Sequence, residues 1–225
     1  NLVVRRPDLA GFEAVLRERT RYLTVVLEDI YLRQNTSACL RNCDCFGVQD
    51  VHIIENKHPF RVNRDIARGA AQWLTLRRYR GEQNNTPPCL AKLKQQGYQI
   101  IATSPHPAGH TLEDFDLCEK TALVFGSEHG GLSPAAREQA DGFLQIPMYG
   151  FTASYNLSVA VAVCLYELSR KLRPSNLEWR LTRAEYDELR TAWIRLVLKK
   201  RFKQHAAAFM KQSAERAQRP TLREE

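Results

Sequence analysis

The sequence predicts an α/β domain built on a largely parallel sheet, and three observations carry that prediction. Short apolar runs rich in β-formers recur over about 150 residues and alternate with helix-length segments, the pattern of strand–helix–strand crossovers. Two of those segments end at Gly47 and Gly97, residues suited to closing a helix. Beyond Arg173-Pro174-Ser175 the alternation stops and only helical periodicity remains.

The elements follow in order. Residues 22–29 (Tyr-Leu-Thr-Val-Val-Leu-Glu-Asp) form a buried strand, and a helix spans 37–46, closed by Gly47. A second strand covers 51–54 and a third 73–77; a helix over 90–96 ends at Gly97 and leads into a strand at 98–103. Residues 121–125 are another apolar strand, running directly into Gly126-Ser127-Glu128-His129-Gly130-Gly131. Ser133-Pro134 supplies an N-cap with proline at the first helical position. The last strand lies at 143–146. After it, Val159, Ala160, Val161, Ala162, Val163, Cys164 and Leu165 leave no polar face, which predicts a helix buried on all sides.

The C-terminal part reads as one or two amphipathic helices over 182–215. Thr182 and Glu185 form a capping box, and Tyr186, Leu189, Trp193, Leu196 and Val197 recur at helical spacing. Residues 219–225 are expected to fray. The expected organisation is an N-terminal helical extension (1–22), a central α/β domain (23–173) and a basic helical C-terminal extension (174–225).

The net charge of +8 is unevenly spread. Residues 171–225 hold 14 Lys or Arg against 7 Asp or Glu, and residues 1–22 hold 5 against 3; the stretch between them is nearly neutral, 14 against 15. Basic flanks around a neutral centre suit a polyanion such as nucleic acid. No apolar stretch approaches the roughly 18 residues that span a bilayer, and the first residues lack a signal-peptide pattern. Six cysteines without a disulfide-framework rhythm fit reduced thiols in a cytosol. The cluster Cys39, Cys43 and Cys45 lacks the paired spacing and partner histidines of a zinc site, so no metal is expected. The absence of Gly-x-Gly-x-x-Gly after the first strand excludes a Rossmann dehydrogenase.

Three polar clusters interrupt the apolar elements, each after the C-terminal end of a strand, where open parallel sheets place their ligands. They are Asn35-Thr36-Ser37-Ala38 with Arg41, then Gly126–Ser133, then residues 146–158. In the last, Ser154, Asn156 and Ser158 crowd the start of a helix. That is one residue's work if they only cap, and an anion site if they do more.

Taken in order, the clusters resemble the SpoU branch of the SPOUT RNA 2′-O-methyltransferases. The first motif reads Asn35-Thr-Ser-Ala-Cys-Leu-Arg41-Asn-Cys-Asp44-Cys-Phe-Gly47-Val48, and the second Phe125-Gly126-Ser127-Glu128-His129-Gly130-Gly131-Leu132-Ser133. The third runs from Ile146-Pro147-Met148 through Ser154-Tyr155-Asn156 to Ser158. Arg6-Pro7-Asp8-Leu9 and the basic helical tail are similar to the TrmH group within that branch, which methylates the ribose of guanosine 18 in the tRNA D-loop. The sequence departs from the family pattern at Tyr155, where leucine is usual, and at Ser127 and His129.

The resemblance implies helices on both faces of the sheet, a deep C-terminal trefoil knot that binds S-adenosyl-L-methionine (SAM), a homodimer, a tRNA substrate and a cytoplasmic enzyme needing no metal. It implies cofactor contacts at Thr103, Gly126, Ile146 and Tyr155. Arg41 takes the central catalytic role, Asn35 orients it, and Glu128, Ser154 and Asn156 build the substrate pocket and the subunit contact. A ribose hydroxyl must lose a proton as it attacks. An arginine is almost never neutral, so two roles stay open for Arg41: accepting that proton with help from a substrate phosphate, or orienting the phosphate and stabilising the alkoxide.

Overall fold

A computed structural model describes residues 9–104 and 109–217. Seven strands form one sheet: β1 Leu23–Glu28, β2 Asp50–Ile54, β3 Thr75–Tyr79, β4 Gln99–Thr103, β5 His110–Thr111, β6 Thr121–Phe125 and β7 Gly142–Gln145. Their order is β3-β2-β1-β6-β4-β7-β5, and every pairing is parallel. The helices are α1 Leu9–Leu16, α2 Arg33–Cys45, α3 Arg64–Ala67, α4 Thr86–Gln95, α5 Pro134–Gln139, α6 Leu157–Leu172 and α7 Arg183–Ala217.

Helices cover both faces, and the central strands read as continuous apolar runs for that reason. Successive side chains on β1 point to opposite sides. Leu23, Val25 and Leu27 join the core formed with Cys39, Leu40 and Cys43 of α2 and Val161, Cys164, Leu165 and Leu168 of α6. Val26 joins the other core, with Cys89, Leu90 and Leu93 of α4 and Ala136 of α5. From β1 the chain crosses to β2 on one side, while β6 lies on the other. A crevice therefore opens at the carboxyl ends of β1 and β6, the switch point of the sheet.

The chain divides into two compact units. The smaller combines the N-terminal segment through Arg17 with residues from Thr182 onward. In it Phe12 meets Trp193 edge-on at 5.8 Å between ring centroids. The Thr182–Glu185 capping box forms as expected: the Thr182 amide donates to Glu185 Oε2 (2.8 Å), and the Glu185 amide donates to Thr182 Oγ1 (3.3 Å).

The larger unit runs from Glu18 to Leu181, past the boundary at Arg173 read from sequence. Trp179 is buried; its carbonyl accepts from Thr20 Oγ1 at 2.6 Å, and its ring meets the guanidinium groups of Arg173 and Arg180 at 5.2 and 4.4 Å.

Several boundaries move. α2 begins at Arg33 rather than Ser37, which places Asn35 inside the helix. α4 begins at Thr86 because Pro87 and Pro88 sit in its first turn, where a missing N–H costs nothing. β3 shifts to Thr75–Tyr79, and the short elements α3 and β5 were not expected. The helix expected to be buried all round is not: on α6, Val159 is 45% and Tyr166 61% exposed, leaving an apolar stripe open. Residues 219–225 and Arg6-Pro7-Asp8 lie outside the described residues.

Candidate active site

The first turn of α2 has no local cap: Leu32 occupies the N-cap position and offers no side-chain acceptor. Glu128 supplies what is missing from the far side of the crevice. Its Oε2 accepts from the Tyr31 amide (3.1 Å), and its Oε1 accepts from the Leu32 amide (3.3 Å) and from Asn35 Nδ2 (2.7 Å). A carboxylate at a helix N-terminus is also favoured by the helix dipole.

Because an ionised carboxylate only accepts, Asn35 must turn its amide nitrogen toward Glu128 and its oxygen away. That oxygen accepts from Asn156 Nδ2 at 3.1 Å. Asn156 then has its own oxygen left, which takes the Ser158 amide (2.9 Å) and hydroxyl (2.7 Å) and so caps α6. Capping is therefore part of its work, beside the substrate-pocket and subunit roles that the family resemblance implies. Asn156, Asn35 and Glu128 form one hydrogen-bonded chain that ties all three polar clusters together.

The turn carrying Glu128 is itself braced. Ser127 and Gly131 exchange both backbone hydrogen bonds (3.0 and 2.9 Å), the Gly130 amide donates to Ser127 Oγ (3.1 Å), and Gly131 takes φ +63°, which glycine tolerates best. Just below, Glu28 at the end of β1 accepts from the Ser133 amide (2.9 Å) and hydroxyl (2.6 Å) and from Thr86 Oγ1 (2.6 Å). It thereby fixes the starts of α4 and α5. Sequence reading passed over Glu28; its signal was a carboxylate closing an otherwise apolar strand.

These residues border a cavity of about 780 Å³, within the range of small-molecule sites. Asn35, Thr103, Gly126, Glu128, Ile146, Ser154, Tyr155 and Asn156, eight of the nine residues singled out in the sequence, line it. Leu144 and Leu157 add apolar wall. Two hydroxyls are already engaged: Thr103 Oγ1 donates to the Val124 carbonyl (2.9 Å), and Tyr155 Oη donates to the Pro147 carbonyl (3.1 Å), closing the last loop on itself. The Thr103 hydroxyl can therefore meet a ligand only as an acceptor, beside its backbone groups.

Arg41 stands apart. It lies on the solvent face of α2, does not line the cavity, and makes no hydrogen bond or ion pair among the described residues. The expectation that Asn35 orients it is not met. Six positions along an α-helix turn the side chain onto a different face, and both ends of the Asn35 amide are taken. Of the nearby cysteines, Cys39 and Cys43 are packed in the core with Cys164, and burial pushes all three thiols up, Cys164 to about 12. They are neutral packing residues.

Residues 22–166 match the family described as SpoU rRNA Methylase. The chain belongs to the SpoU methylase family. A tRNA (guanosine(18)-2′-O)-methyltransferase of Borreliella burgdorferi is 44% identical to this SpoU methylase over 190 residues, 84% of this chain and 85% of that one. An enzyme of the same name from Thermus thermophilus is 33% identical over 185 residues, 81% and 93% of the two chains. The fold of this SpoU methylase superposes on the Aquifex aeolicus TrmH/SpoU tRNA modifying enzyme with a TM-score of 0.74 at 29% identity, covering 82% and 93%.

Proposed function

We propose that this SpoU methylase transfers a methyl group from SAM to the ribose 2′-oxygen of guanosine 18 in the tRNA D-loop, acting in the cytoplasm as a homodimer. The observation that carries the reading is the Asn156–Asn35–Glu128 chain, which brings the family's three motifs to one cavity. The guanosine-18 enzyme at 44% identity supports the substrate.

The cavity fits the donor. Leu144, Ile146 and Leu157 offer apolar wall for an adenosine, while the backbone at Gly126 and Thr103 offers polar atoms for its edge. SAM supplies a methyl group on a sulfonium, an electrophile that needs no metal to activate it. The chain's own residues supply position and charge. Glu128 and Asn35 hold the start of α2 against the cavity, and Asn156 holds the start of α6. Ser154, exposed at the rim, contacts the incoming ribose. Arg41, permanently charged, binds the phosphate beside that ribose and stabilises the charge developing on the 2′-oxygen, whose proton leaves to water or a phosphate oxygen.

The homodimer reading rests on two features of the single chain. The open stripe of Val159 and Tyr166 on α6 is apolar surface that a second copy would cover. Arg41 is exposed and does not line the cavity of its own chain, and in this reading it serves the cavity of the partner. In this reading the loop 146–156 is the last pass of the trefoil knot. The basic α7, with Arg195 and Lys199 exposed, holds the tRNA body. Among the described residues no helix is long and apolar enough to cross a membrane.

The test is to incubate the protein with methyl-labelled SAM and unmodified tRNA transcript and to map the labelled nucleotide. Label on the ribose of guanosine 18 is expected. Label on a base nitrogen, or on ribosomal RNA alone, overturns the reading.

A further inference from the structure

The near-neutral charge balance of the central stretch hides a basic strip. Residues 57–80 carry seven Lys or Arg against one acid, Asp65. Two of the seven are committed: Arg78 makes a bidentate pair with Glu55 (2.7 and 2.8 Å), and Arg77 lies 3.6 Å from Asp50. Lys57 and Arg61 are exposed, and their charged groups engage nothing among the described residues.

The loop bearing them is held in place. Asp29, just after β1, accepts with a single oxygen from the amides of Asn56 (3.1 Å), Lys57 (2.7 Å) and His58 (2.8 Å). To do so it takes φ +54°, the left-handed region that costs a non-glycine residue. Further on, Glu55 Oε2 accepts from the Phe60 amide (2.7 Å), and Ser37 Oγ accepts from the Asn63 amide (2.7 Å). Strain retained in this way gathers at ligand sites.

The loop delivers His58 against Tyr31, ring centroids 5.0 Å apart and edge-on, and Tyr31 lies 5.7 Å from His129. Tyr31 is 56% exposed, and its hydroxyl makes no contact among the described residues. Its amide is one of those that hold Glu128. A row of three rings therefore runs from the basic loop to His129 at the cavity lining.

We propose that this rim is an RNA-binding surface of the larger unit: Tyr31 stacks on a nucleobase beside the target ribose, and Lys57 and Arg61 take backbone phosphates. The inference rests on the RNA substrate proposed above. Bases offer π-faces to exposed rings, and the backbone offers charge to cations, the combination that unpaired RNA rewards. RNA is favoured over a protein partner because an exposed ring beside two exposed cations offers both the stacking face and the charge that an unpaired nucleotide uses.

The experiment measures binding of unmodified tRNA to the full chain over a range of KCl, with SAM affinity, sedimentation and thermal melting alongside. Tyr31→Ala should raise the tRNA Kd about tenfold while Tyr31→Phe matches the parent. The Lys57→Ala/Arg61→Ala double variant should reduce the slope of log K against log salt by about 1.5. SAM affinity, sedimentation and melting should not move. Unchanged Kd and slope overturn the proposal. So does a shifted sedimentation coefficient, which would make the rim a contact between copies, and so does a fall in melting temperature or SAM affinity matching the loss of tRNA. A parent that binds tRNA without methylating it sinks the proposed reaction and leaves the rim standing; a parent that binds none sinks both.

Discussion

The side-chain amide of Asn35 donates to Glu128 at 2.7 Å across 93 residues of chain, and that one bond dictates which way Asn35 faces and what Asn156 must present to it. Asn35→Asp sets two carboxylates against each other and should cost about 1–3 kcal/mol of stability as well as turnover. Pairing it with Glu128→Gln reverses the donor and acceptor and should recover most of that loss. A double-mutant cycle on melting temperature and transfer rate checks both halves.

Arg41→Ala removes an exposed side chain with no partner among the described residues. Stability should stay within about 0.5 kcal/mol and SAM affinity should be unchanged, while methyl transfer falls roughly 10²–10³-fold. Calorimetry with SAM beside a single-turnover assay separates the two. Lost SAM binding would show Arg41 to be structural.

Val159→Glu with Tyr166→Glu places charge on the open stripe of α6. Sedimentation should show monomers that keep the parent's circular dichroism but lose activity. Mixing this variant with Arg41→Ala protein should not restore transfer, since the stripe is needed to form any pair.

His52 lies buried on β2, with Nδ1 2.9 Å from Tyr79 Oη. Burial first, then the charges of Arg77 and Lys92, lower its pKa from 6.5 to about 3. The folded chain thus keeps His52 neutral where the unfolded chain protonates it. The stability this represents is present above about pH 6.5 and is lost as pH falls toward about 3. Urea midpoints between pH 7 and 4 should drop by amounts worth up to a few kcal/mol, and His52→Gln should flatten that decline.

Two truncations distinguish the units. A chain ending at Leu181 keeps Trp179 and should retain SAM affinity while losing tRNA affinity and much of its salt dependence. A chain ending at Arg173 loses the Trp179 side chain, 3% exposed, and its bond to Thr20. That cut should cost about 3–5 kcal/mol and lower the melting temperature visibly.

β1 and β6 were legible because a parallel strand covered on both faces must be apolar throughout. The three motifs were legible as residue types at fixed spacing. Their wiring was not. The true start of α2 is capped by Glu128 from across the crevice, so no local rule could find it, and a two-residue strand such as β5 leaves no periodicity to read. The helix read over 90–96 starts four residues earlier, at Thr86, because Pro87 and Pro88 fit its first turn. A count of apolar residues marks α6 as a helix to be covered, but it does not say whether the same chain or a second copy covers Val159 and Tyr166. The basic strip at 57–80 vanished when charge was summed over the whole central stretch.

Synthesis on the ribosome gives the Asn156–Asn35–Glu128 chain a further consequence. Asn35 emerges early, but its acceptor follows 93 residues later and its donor 121 residues later. Until both have left the exit tunnel, α2 has no cap and the pocket no walls. The pocket is thus a product of the whole catalytic unit, since α2, the turn after β6 and the start of α6 must all be present before it can form.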